Sequence, residues 1–126
     1  MLTIILASAL IATTPLAAFA HGAPPAASHG GQVAEDSSEN WVELVIKGDW
    51  VDVYVLDEAK TPVPSAKLTG KATVLVGGKS QSVALAPGAA NSLTGKLDTP
   101  ATGKVTAVLS LSVGGKPTQA RLAVQQ

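Results

Sequence analysis

From Trp41 to the C-terminus the apolar residues fall on alternate positions, and short breaks rich in glycine interrupt the alternation. A period of two sends successive side chains to opposite faces of a strand, so such a chain buries one face of each strand and leaves no helical stripe. Val42, Leu44 and Ile46 share one face while Glu43 and Lys47 take the other. Gly48-Asp49 has the chemistry of a two-residue hairpin turn, after which Val51, Val53 and Val55 return on the inward side. Farther on, Val105, Ala107, Leu109, Leu111 and Val113 alternate against Thr106, Ser110 and Ser112, and Gly77-Gly78 and Gly114-Gly115 each turn a further hairpin.

This pattern predicts seven strands, near residues 41–47, 50–57, 67–76, 79–86, 92–98, 104–113 and 117–124. Seven short strands without a helix point to an all-β domain, a seven-stranded immunoglobulin-like β-sandwich, with a small barrel as the alternative. The cysteine and tryptophan spacing of antibody domains is missing, so only the architecture is implied. One face of the second strand carries Trp50, Tyr54 and Leu56, too apolar for open water. Packing under a loop is the expected cover, with the N-terminal arm and a partner surface as the alternatives.

The first twenty residues have a different composition. Residues 2–11 are largely apolar and uncharged, Pro15 interrupts the run, and Ala18-Phe19-Ala20 has the small-x-small pattern of a signal-peptidase site. Residues 1–20 are accordingly read as a signal peptide whose removal leaves His21 as the new N-terminus, with no membrane span after cleavage. The apolar block is shorter than the roughly 20 residues a transmembrane helix needs. Residues 21–40, mostly Gly, Ala, Pro, Ser and acids, read as a flexible arm, and residues 41–126 as the β-domain. The chain has no cysteine, which excludes disulfides and thiolate chemistry.

The formal net charge is zero, yet eight of the nine acids precede residue 59 and eight of the nine bases follow it. If the fold keeps these halves apart, the acidic half, which contains both histidines, favours cations near them; the expected reading is that these are ordinary solubilising charges on outward strand faces. No dense basic cluster with interleaved aromatics is present, so nucleic acid is not an expected partner. Catalysis is not expected either. Asp57-Glu58 and Glu35-Asp36 are adjacent pairs, which strands direct to opposite faces, and the one Ser-His neighbour pair, Ser28-His29, lies in the arm.

The candidate ligands are His21, His29, Glu35 and Asp36. A terminal His21 offers its α-amine and imidazole Nδ1 together, and seven intervening residues are enough to bring His29 to the same ion. With Glu35, Asp36 or water completing the set, a tetragonal nitrogen and oxygen site suits copper(II) best, and zinc or nickel less well. The only methionine is Met1, so a thioether copper(I) site is not expected in the mature chain.

The order of short motifs carries a family resemblance. His29-Gly30-Gly31-Gln32-Val33, then Val53-Tyr54-Val55-Leu56-Asp57, Pro62-Val63, Gly77-Gly78-Lys79 and Gly114-Gly115-Lys116 follow one another across nearly all of the mature chain. This series resembles small periplasmic proteins associated with heavy-metal efflux systems, and is similar to the His-Gly-Gly-containing N-terminal domain of some efflux periplasmic adaptor subunits. The resemblance implies a periplasmic β-sandwich that handles metal, with His29 as the ligand of the His-Gly-Gly motif. The expected function is therefore transition-metal binding or handover beside a heavy-metal efflux system. Its rival is a structural domain that docks on an efflux adaptor or another envelope partner, with no metal role.

Overall fold

The computed structural model describes residues 22–126, and the signal-peptide reading and His21 lie outside the described residues. The described chain is all-β. Its strands are β1 (Gln32–Glu35), β2 (Trp41–Lys47), β3 (Trp50–Leu56), β4 (Leu68–Val76), β5 (Lys79–Pro87), β6 (Ser92–Lys96), β7 (Lys104–Val113) and β8 (Lys116–Gln125). A single 3₁₀ turn at Ser65–Lys67 precedes β4. No helix among the described residues is long and apolar enough to cross a membrane.

The strands number eight where the alternation predicts seven. The additional one is β1, which lies within the stretch expected to be a flexible arm and pairs antiparallel with β2, Gln32 opposite Leu44 and Glu35 opposite Trp41. Four residues are too few to display a period, so this strand is specified by its partner and not by its own sequence.

All eight strands are antiparallel neighbours in one sheet, in the order β1-β2-β3-β6-β5-β4-β7-β8, rolled into a nearly closed barrel. The arrangement is nearer to the barrel alternative than to two separate layers, because β5 belongs to both halves. Lys79 to Leu85 pair with β4, and Ala86 and Pro87 then pair with Thr94 and Leu93 of β6. Gly95 permits this crossing, since a Cβ there would stand 2.5 Å from Val83 Cγ1 and 3.0 Å from the Ala84 carbonyl oxygen. Between β1 and β8 one end of the seam is tied: Ser37 N donates to Gln119 O at 2.8 Å, and Gln119 N donates to Ser37 Oγ at 3.0 Å.

Inside the barrel lie the residues that the alternation assigns there. Val42, Leu44, Ile46, Val51, Val53, Val55, Val74, Val105, Ala107 and Leu109 form one apolar cluster with Leu68, Leu93 and Leu122. Burial of each such Val, Leu or Ile side chain stabilises the fold by about 1.5–3 kcal/mol before entropy is counted. The tight turns are those the glycines specify, with both residues of Gly77-Gly78 and Gly114-Gly115 at positive φ.

On β2 burial extends to both faces. Trp41, Glu43 and Val45 are buried along with Val42, Leu44 and Ile46, although they point away from the barrel interior. The N-terminal arm provides the cover, because Pro25, Ala26, Ser28 and His29 line one cavity together with Trp41, Glu43, Tyr54 and Leu56. Of the face carrying Trp50, Tyr54 and Leu56, only Trp50 stays largely open, at 51% exposure.

Candidate functional site

Antiparallel pairing of β2 and β3 sets Glu43 directly opposite Tyr54 and Trp41 opposite Leu56. Directly opposed residues share a face, so a carboxylate and a phenol lie side by side on the outer surface of the sheet. The arm crosses them just before β1 begins, with Gly30 at φ 74 turning the chain into the strand.

His29 is held there from three directions. Its Nδ1 lies 2.9 Å from Glu43 Oε1, and its backbone N–H donates to Glu43 Oε2 at 2.9 Å. Its ring stacks on that of Tyr54, with centroids 3.5 Å apart and planes 4° from parallel. The Gly31 N–H gives Glu43 Oε2 a second hydrogen bond at 2.9 Å. One buried carboxylate thus gathers two backbone amides and an imidazole of the arm.

The electrostatics follow from this arrangement. Burial alone would raise the Glu43 pKa, but the hydrogen bonds from the His29 ring and from the Gly31 and His29 amides outweigh it and leave the carboxyl below its ordinary value of 4.5. Glu43 is therefore ionised at neutral pH and can only accept, which makes Nδ1 of His29 the protonated nitrogen. A neutral imidazole in that tautomer carries its lone pair on Nε2. Nε2 has no hydrogen-bond partner among the described residues, and the His29 side chain is 41% exposed. Beneath it, burial raises the Tyr54 pKa, with the negative charges of Asp52 and Glu43 adding to the shift.

The chain matches no protein-family model, no curated protein and no solved structure.

The residues singled out in the sequence are distributed differently. His29 is in the constellation. Asp36 is not: its Oδ1 accepts the Ser38 and Asn40 amides at 2.9 Å and its Oδ2 accepts Asn40 Nδ2 at 3.0 Å, so both oxygens hold the turn between β1 and β2. Glu35 ends β1 opposite Trp41, while the contacts of His29 are with Glu43 and Tyr54. Among the described residues no group of three or more His, Cys, Asp or Glu side chains is placed to hold a metal ion.

Glu43 and Tyr54 are the residues that sequence reasoning missed. Glu43 reads as an ordinary outward-facing acid on an alternating strand. The available signal was its setting, since it shares that face with Trp41 and Val45 and pairs with a strand whose matching face carries Tyr54 and Leu56. An acid in the middle of an apolar face needs donors, and His29 and Gly31 of the arm supply them.

Proposed function

We propose that this protein binds a transition metal ion, copper(II) in the first place and zinc or nickel next, through Nε2 of His29, and that it buffers or hands over that ion in the periplasm beside a heavy-metal efflux system. The observation that carries the reading is the Glu43–His29 hydrogen bond at Nδ1. A carboxylate on one imidazole nitrogen fixes the tautomer, makes the other nitrogen a better donor and orients the ring, as is usual behind metal-ligating histidines. Stacking on Tyr54 adds a second constraint on the ring plane. Glu43 thus acts as a positioning group and His29 as the ligand.

One imidazole does not complete a coordination sphere. The further donors in this reading are the α-amine and imidazole of His21, eight residues upstream and terminal after cleavage behind Ala20. Nitrogen donors of this kind suit copper(II), nickel and zinc. The ion is cargo here and no reaction is assigned to it.

The test is a titration of the mature protein, with His21 verified as its N-terminus by mass spectrometry, against copper, zinc, nickel and cobalt in the presence of a competing chelator. Stoichiometric binding that disappears in the His21→Ala, His29→Ala double variant supports the reading. Equal affinity in parent and double variant sinks it. Glu43→Gln is expected to weaken binding by about 10- to 100-fold while leaving both ligands in place.

A further inference from the structure

The arm does not seal the face it covers. Between it and strands β2 and β3 remains a half-enclosed cavity of about 150 Å³. Pro25, Ala26 and Ser28 of the arm line it together with Trp41, Leu56 and Pro62. The arm is fixed over this space by the Glu43 hydrogen bonds to His29 and Gly31, so the cavity belongs to the ordered chain.

We infer that this cavity binds a small neutral ring compound bearing one hydroxyl or carbonyl group, of about the size of phenol. Three features of the cavity determine that chemistry. An apolar cavity of about 150 Å³ is the size that takes up benzene, and a drug-sized molecule needs at least about 300 Å³. The lining has no lysine or arginine, and its one acid, Glu43, is already committed to the arm, so neither an anion nor a cation finds a counter-charge. The polar residues that remain in the lining are Ser28, His29, Tyr54 and Asn91. Asn91 lines the cavity and uses its Nδ2 on the Val55 carbonyl at 3.0 Å, leaving its amide oxygen as an acceptor. Trp41 borders it too, but its indole N–H, which no described residue accepts, has almost no accessible surface and lies behind the wall. A ring with one polar substituent matches a mostly apolar slot whose lining holds one amide oxygen and the hydroxyl-bearing Ser28 and Tyr54.

His29 lines this cavity as well, so the site adjoins the proposed metal ligand without resting on it, and a metal-free titration lets the two readings fail separately. The experiment uses ¹⁵N-labelled mature protein carrying Trp50→Phe, so that Trp41 gives the only indole N–H signal, titrated with phenol. Saturable shifts of the Trp41 indole and of the Tyr54 and Asn91 amides are expected. Benzoate, of similar size but charged, should leave them in place. Ala26→Phe, which fills the cavity from the arm without touching the barrel interior, should abolish the phenol shifts while circular dichroism and the thermal transition stay as in the parent. Absence of saturable shifts, or shifts that persist in Ala26→Phe, overturns the inference. Equal binding of benzoate overturns the neutral-ligand assignment. A capped phenylalanine peptide that shifts the same signals where phenol does not assigns the cavity to a partner's side chain and overturns it as well.

Discussion

The imidazole of His29 lies flat on the phenol ring of Tyr54, 3.5 Å away and within 4° of parallel, with Glu43 accepting from the imidazole in the same layer. The stack joins the N-terminal arm to β3 and the hydrogen bond joins it to β2, so two neighbouring strands hold one side chain. That double attachment makes the role of each contact separable by mutation.

Aromatic pairing is expected to contribute about 0.5–1.5 kcal/mol beyond area burial. Tyr54→Phe keeps the stacked ring and should hold the arm as the parent does. Tyr54→Val should loosen it, seen as faster hydrogen exchange at the His29 and Gly31 amides. Equal exchange in both variants would show that the stack contributes nothing.

Glu43 sets a pH dependence of known sign. Its pKa in the fold is below 4.5, so the unfolded chain binds the proton more tightly. Its contribution is full above that value, fades as pH falls through it and is lost below the folded value. Acid titration followed by Gly31 amide exchange should show release of the arm in this window. Glu43→Gln should abolish that pH step and destabilise the fold by about 1–3 kcal/mol at neutral pH, read from urea unfolding.

Asp36 is expected to matter for stability and not for metal. Asp36→Ala removes three hydrogen bonds that close the turn between β1 and β2, at a cost of about 1–3 kcal/mol in chemical unfolding. Metal affinity, measured by chelator competition, should match the parent. A large loss of affinity would return Asp36 to the ligand set.

Gly31 should tolerate no side chain. A Cβ there would stand 2.8 Å from Val45 Cγ2 and closer still to the Leu44 carbonyl oxygen. Gly31→Ala is expected to cost about 1–3 kcal/mol by overpacking and to displace the arm from Glu43. Gly30→Ala meets no neighbouring atom and has only its positive φ to oppose it. Thermal unfolding of the two variants should therefore rank Gly31→Ala below Gly30→Ala.

The strands and their inward faces were legible in the sequence because burial of one face imposes a period of two over seven to ten residues. Val51-x-Val53-x-Val55 and Val105-x-Ala107-x-Leu109-x-Leu111 say which side is in, and the Gly-Gly pairs say where the chain turns. His29 was legible as a rare residue type in a polar arm. What joined these parts was not. β1 is too short to show a period, and the rolling of eight strands into one nearly closed sheet depends on β5 changing partners at Ala86 and Pro87. The pairing of Glu43 with Tyr54 and the descent of His29 onto both are contacts across register and across 14 residues of chain. Local patterning determines which face of a strand is buried, because that is a property of neighbouring residues. Which outward acid acquires three donors and a stacked imidazole is decided only when distant segments meet, because the hydrogen bonds that hold Glu43 do not exist until the arm has folded over the sheet.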